Sequence, residues 1–298
     1  MKNFGKVLTV VLVLVAAFSC KREQKTPEMF ESVMLSDVHF KSRFLETGEA
    51  RFNIFLPADY AVSKKKYPVL YLLHGVLDDH TAWNAKGKVR DITDKAIKEG
   101  IVDPFIIVMP DGFNGFYVNG AKISNGKQHG NDWESFFWKE LKPYIEKNYP
   151  VKKGRENTAI AGNSMGGYGS IYYAFNYPSR FCFCYAMSAA MDETGILGSR
   201  KLLHMKEIFK KRGYNKTFYN KLPDFIMECG NADIVSFVFN ETTHKFLDSV
   251  KFPHKMRKNP GSHNWAFWKE SYERMLPNLA EHFGKPEKTD QLSDLGKD

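Results

Sequence analysis

Cysteine is scarce in this sequence, with four residues in 298. Beyond Cys20 only Cys182, Cys184 and Cys229 remain. They are too few for a disulfide framework and lack the paired spacing of a zinc ligand set. Cys182 and Cys184 alternate with Phe181, Phe183 and Tyr185 along a strand-like run, so buried free thiols are the expectation. Internal repeats and low-complexity tracts are missing, which argues against a solenoid. No apolar run approaches the ~20 residues of a membrane-spanning helix. An arginine-rich stripe with interleaved aromatics is also lacking, so the formal charge of +9 does not point to nucleic acid. Its lysines cluster at 64–66, 152–153 and 210–211, in predicted loops or at helix ends.

What is present is a core-forming composition, 43% hydrophobic and 14% aromatic, ample for a sizeable core, in a length that allows one large α/β domain or two small ones. The chain opens with Lys2 and Lys6, continues with an apolar stretch from Val7 to Val15, and reaches Cys20 through Ala16, Ala17 and Ser19. This reads as a secretory signal over 1–19, too short for a permanent span. The end "AAFSC" resembles a bacterial lipobox, in which the cysteine is lipidated and becomes the first residue. That resemblance implies lipidation of Cys20 and an exported protein facing the periplasm or cell surface, touching the membrane through its anchor only. Loss of Lys2 and Lys6 would leave 9 − 2 = +7. Residues 20–32 then read as a tether, 33–284 as the folded domain, and 285–298 as a disordered tail almost devoid of apolar residues.

Between these ends, apolar runs alternate with helical patterns. Strands are predicted within 50–60, 67–75, 105–112, 157–164, 180–190 and 224–233, and another opening at His254. Helices are predicted within 89–100, 132–149, 167–178, 240–250 and 265–283. In the second of these, Asp132 is the candidate N-cap and Pro143 a kink. The alternation implies a mostly parallel, doubly wound sheet with helices on both faces. Ligands on such sheets bind beyond the carboxyl ends of the strands.

One of those ends carries "AIAGNSMGGYG", a serine among four glycines. Gly162-Asn163-Ser164-Met165-Gly166 matches G-x-S-x-G between a predicted strand and a predicted helix, the setting of a nucleophile elbow. Such a serine needs a base and a group to orient the base, in the chain order Ser, acid, His. Asp233 closes "FIMECGNAD" and His263 lies in "NPGSHNWAFW" before the final helix, so both fall at the required rim. Asp224 would start its strand, Asp248 falls inside a helix, and Glu228 lies within a strand. His244 and His282 belong to helices. One oxyanion donor should be the N–H of Met165 and the other that of Val76 or Leu77, in the loop after "VLYLLHG". His74, just before that loop's glycine, is expected to be structural.

The blocks "YLLHG", "IVMPDG", "FFWKELKPYIEKNY", "IAGNSMGGYGS", "CGNAD" and "GSHNWAFW", in this order, resemble the esterase D-like branch of the α/β-hydrolases over about residues 35–283. That branch contains feruloyl and acetyl-xylan esterases, S-formylglutathione hydrolases and mycolyltransferases. The resemblance implies an α/β-hydrolase fold and a triad of Ser164, Asp233 and His263, with oxyanion donors Val76 and Met165. It further implies a serine esterase acting on a small-molecule or polysaccharide ester, without metal or cofactor. Acyl transfer to a sugar, and a non-catalytic carbohydrate-binding lipoprotein on the same fold, stay open as alternatives. Phe113, Phe116 and Tyr117 in the 113–131 loop could stack on a sugar or phenolic ring or anchor the loop itself. Residues 192–222 could form a lid or a surface helix.

Overall fold

The structure is a computed structural model and describes residues 31–120, 131–191 and 205–283. The signal segment, Cys20, most of the tether, the tail, and parts of the 113–131 and 192–222 segments lie outside the described residues. The described residues form one compact unit. No helix among the described residues is long and apolar enough to cross a membrane.

Eight strands form one sheet: β1 (Val33–Lys41), β2 (Glu49–Leu56), β3 (Val69–Leu73), β4 (Ile106–Pro110), β5 (Thr158–Asn163), β6 (Phe183–Met187), β7 (Asp224–Gly230) and β8 (Lys255–Asn259). Their spatial order is β1-β2-β4-β3-β5-β6-β7-β8. Only the pairings of β2 with β1 and with β4 are antiparallel. From β3 the chain crosses to β4 on one side and then returns to place β5 on the other. The order therefore reverses at β3, and the crevice beyond the ends of β3 and β5 is where such sheets bind ligands.

The strands alternate their side chains between two cores. Along β3, Val69, Tyr71 and Leu73 enter one cluster while Leu70 and Leu72 enter the other. This is why its sequence reads as an unbroken apolar run. The first face is covered by α3 (Trp133–Phe136), α4 (Lys142–Asn148), α5 (Met165–Asn176), α6 (Met205–Arg212), α7 (Lys216–Tyr219) and α8 (Phe237–Ser249). The second is covered by α1 (Ala82–Ala85), α2 (Val89–Lys98) and α9 (Trp265–Ala280).

Two local features bear on the expectations. A π-helical turn over Phe137–Leu141 links α3 to α4 without a break, and Pro143, the residue expected to kink this helix, follows directly after that turn. The strand β1 was not expected from the sequence; its register shifts between Leu35 and Val38, and Asp37 there has φ 53°. That bulge interrupts the two-residue alternation by which a strand is recognised.

Candidate active site

Ser164 follows β5 and precedes α5, with φ 52° and ψ −115°. This conformation is costly for a residue with a Cβ, by roughly 1–3 kcal/mol, and persists only where the surroundings impose it. They do so here through backbone bonds: the Ser164 N–H donates to Met187 O at 2.8 Å, and its carbonyl accepts from Tyr168 and Ala190. Gly166 lets the turn pass under β3, since a Cβ there would lie 2.2 Å from the Leu73 carbonyl oxygen. The spacing of the motif thus reflects contact between α5 and the end of β3.

His263 Nε2 lies 2.9 Å from Ser164 Oγ, and His263 Nδ1 lies 2.9 Å from Asp233 Oδ2. Asp233 stands three residues beyond β7, and its loop bonds directly to the His263 loop through Ala232 N–H to Gly261 O and Asn231 N–H to Asn259 O. The two loops pack closely at Gly230, where a Cβ would meet Gly261 O at 2.3 Å. Burial alone would raise the Asp233 pKa. The hydrogen bonds from His263 and Ser236 outweigh it and hold the carboxyl well below its usual range. An ionised carboxylate can only accept, so the proton of His263 sits on Nδ1. Nε2 is thereby left to accept from the Ser164 hydroxyl. Trp268 stands edge-on to the His263 ring at 5.0 Å.

Ser236 escaped the sequence reading. Its Oγ donates to Asp233 Oδ2 at 2.7 Å and its N–H to Oδ1 at 2.9 Å, while Val235 N–H donates to Oδ1 at 3.0 Å. Counting those of His263 and of the Cys229 thiol at 3.6 Å, the carboxylate accepts five hydrogen bonds. The D-x-x-S spacing ahead of a helix was the available signal. The rejected carboxylates are elsewhere: Asp224 opens β7 and pairs with His282, Asp248 lies on α8, and Glu228 is buried among Tyr185, Asn259, Ser271 and Arg274.

Beyond β3, the Leu77 N–H donates to Asn114 Oδ1 at 2.8 Å. Of the two N–H groups considered, that of Leu77 is thereby committed to a loop contact. Met165 opens α5, so its N–H has no acceptor within the helix. His74 has the expected structural role. Gly112 N–H donates to its Nε2 at 2.8 Å, so Nδ1 carries the proton and donates to Gly75 O at 2.7 Å. This bond fixes the peptide whose N–H belongs to Val76.

The loop aromatics anchor rather than line the rim. Phe116 and Tyr117 are 2% and 0% exposed, and Tyr117 Oη donates to His74 O. Phe113 is partly buried against the same core. The described end of the 192–222 segment is packed as well, with Met205 and Phe209 buried and Phe209 against Phe175, Phe246 and Phe252. Cys182, Cys184 and Cys229 are free thiols. Burial pushes Cys182 and Cys229 up to about 12.

Three likenesses bear on this geometry. An esterase of Mycobacterium tuberculosis is 39% identical over 132 residues, which cover 43% of this chain and 26% of that protein. An endo-1,4-beta-xylanase/feruloyl esterase of Xylanibacter ruminicola is 36% identical over 133 residues, 43% of this chain and 18% of the relative. The chain therefore spans about a quarter or less of these curated relatives. A solved ferulic acid esterase superposes with a TM-score of 0.74 at 29% identity, covering 86% of this chain and all of its own. The architecture is that of the α/β-hydrolases. Residues 45–279 match the family described as "Putative esterase", and the chain belongs to that Esterase family.

Proposed function

We propose that this protein is a serine esterase that hydrolyses carboxylic esters through an acyl-enzyme on Ser164. The observation that carries the reading is the relay from Ser164 Oγ to His263 Nε2 and from His263 Nδ1 to Asp233, each step 2.9 Å. Ser164 Oγ attacks the ester carbonyl while His263 Nε2 takes its proton, and Asp233 stays ionised beside the imidazolium. The oxyanion formed is met by the N–H groups of Val76 and Met165, each worth about 3 kcal/mol of barrier. Collapse expels the alcohol, which receives the proton from His263. Water then repeats the sequence: His263 takes its proton, the acyl group leaves as the acid, and the proton returns to Ser164.

For the substrate, we favour feruloyl or acetyl groups on plant polysaccharide. Support comes from the likeness to the Xylanibacter protein, whose description joins a xylanase to a feruloyl esterase, and to the solved ferulic acid esterase. The experiment compares wild type with Ser164→Ala on a short-chain aryl ester and on feruloylated and acetylated xylan. Loss of turnover in the variant with unchanged thermal stability is expected, and wild-type-like turnover overturns the reading. Addition of a sugar acceptor should not divert the acyl group from water; diversion would assign transfer instead.

The same chain is proposed to be an exported lipoprotein anchored through Cys20, on the strength of Lys2, Lys6, the Val7–Val15 stretch and the small residues before the cysteine. Cys20→Ser should abolish labelling by a fatty-acid probe and release or misprocess the protein. Equal labelling of both forms rules the site out.

A further inference from the structure

His244 and Asp248 lie one turn apart on the same face of α8, and His254 meets them from the turn that leads into β8. His244 Nδ1 is 2.8 Å from His254 Nε2. The Asp248 carboxylate is 3.4 Å from His244 Nε2 and 3.9 Å from His254 Nε2. One ligand atom from each residue can be chosen so that all three lie within 4.8 Å of one another. Ligand atoms around a tetrahedral zinc with bonds of about 2.1 Å stand about 3.4 Å apart. The three distances engage both nitrogens of His244 and both oxygens of Asp248, so an ion would select one atom of each, and side-chain rotation would bring that set from within 4.8 Å to the zinc spacing.

The orientation of His254 is the second observation. Its side chain is 1% exposed, and its Nδ1 lies 2.8 Å from Phe252 O. A carbonyl only accepts, so Nδ1 carries the proton and the Nε2 lone pair is presented to the cluster. Imidazole ligands of metals are held in this way, with the distal N–H on a backbone carbonyl. His244 is half-buried and Asp248 exposed, which leaves a path for an ion from solvent.

We propose that His244, Asp248 and His254 form a binding site for a divalent cation of the zinc class, with water completing its coordination. Two imidazoles and one carboxylate favour zinc, copper, nickel or cobalt over magnesium and calcium, which prefer all-oxygen sets. Without the ion, the two rings share a hydrogen bond. The cation takes the place of that bond and ties the end of α8 to the start of β8. The role is structural: α8 begins beyond Asp233, and at about 1.5 Å per residue His244 and Asp248 stand roughly 10 and 16 Å along it from Phe237.

The test uses the untagged full chain, stripped with a chelator and titrated with zinc chloride by calorimetry. One ion per chain should bind, and at a hundred times its dissociation constant the melting temperature should rise by roughly 5–10 °C. His244→Ala and Asp248→Asn should each weaken binding at least tenfold, while His39→Ala should bind as wild type does. Because His244 is half-buried, its loss is tolerable to the fold; His254→Gln serves as a further variant if it folds. The proposal is overturned if wild type binds no zinc, or if His244→Ala binds as tightly as wild type. It is equally overturned if the ion is lost in His263→Ala instead, which would place it on the base facing Ser164.

Discussion

Replacing Asp233 by asparagine exchanges one oxygen for an NH₂ group and reverses the polarity of the relay. Oδ1 accepts two backbone N–H groups, from Val235 at 3.0 Å and Ser236 at 2.9 Å, and neither donor can be turned around. The amide oxygen must therefore take that position, which puts NH₂ where Oδ2 stood, 2.9 Å from His263 Nδ1. There it donates, so the imidazole proton moves to Nε2 and points at Ser164 Oγ, which then has no base. The opposite flip restores the tautomer but leaves the two N–H groups, that of Ser236 buried and that of Val235 partly so, facing NH₂, at about 1–3 kcal/mol each. With 1.36 kcal/mol per decade, that total of about 2–6 kcal/mol corresponds to a loss of roughly 30-fold to 2 × 10⁴-fold in turnover. The assay is kcat and KM for a short-chain aryl ester, with near-UV circular dichroism to verify the fold. KM should change little. Asp224→Asn, whose carboxylate pairs with His282 at the opposite strand end, should behave as wild type. Turnover of Asp233→Asn within tenfold of wild type would refute the tautomer argument, and with it the assignment of the acid.

Gly166→Ala would set a Cβ 2.2 Å from Leu73 O and 2.7 Å from His74 O, both backbone atoms that no rotamer change can move. Overpacking of this kind costs about 1–3 kcal/mol, so differential scanning should show a melting temperature lower by roughly 2–12 °C together with lost turnover; an unshifted melting curve contradicts the described contact. The third expectation concerns acid. The folded-state pKa of Asp233 is depressed, so its contribution to stability is full above the ordinary carboxylate value of about 3.9 and fades as pH falls below it. The difference in urea midpoint between wild type and Asp233→Asn should therefore shrink from pH 7 towards pH 3, and a gap that widens in acid would reverse the sign of the argument.

The elements read correctly from the sequence are those whose surroundings demand one residue class. β3, β4 and β5 are covered on both faces, so their apolar runs admit no other reading. β1 has an exposed outer face and the bulge at Asp37, and its pattern carries too little apolar alternation to mark a strand. The contact set of Ser164, Asp233 and His263 was legible because each residue stands beyond a strand end in a fixed chain order. Asn114 was not, because its contact with Leu77 joins loops 37 positions apart, and nothing local to either loop reports it.

Phe116 and Tyr117 show where pattern reading stops. Their sequence setting, aromatics among Gly and Asn, suits a sugar-stacking rim as well as an anchor. What decides is the space around Tyr117: a Cβ at Gly112 would lie 2.2 Å from its ring, and one at Gly169 2.6 Å. The missing side chains of two distant glycines make the slot that takes the ring, and Trp133 closes it at 4.5 Å. The tyrosine then bonds to His74 O, and His74 in turn bonds to Gly75 O beside the Val76 N–H. An aromatic that looked like a substrate contact thus supports, from behind, the peptide that carries the Val76 N–H. Reaction chemistry restricts residue type at a few positions and can be read along the chain. Substrate choice depends on which side chains remain at the rim after packing has claimed the others.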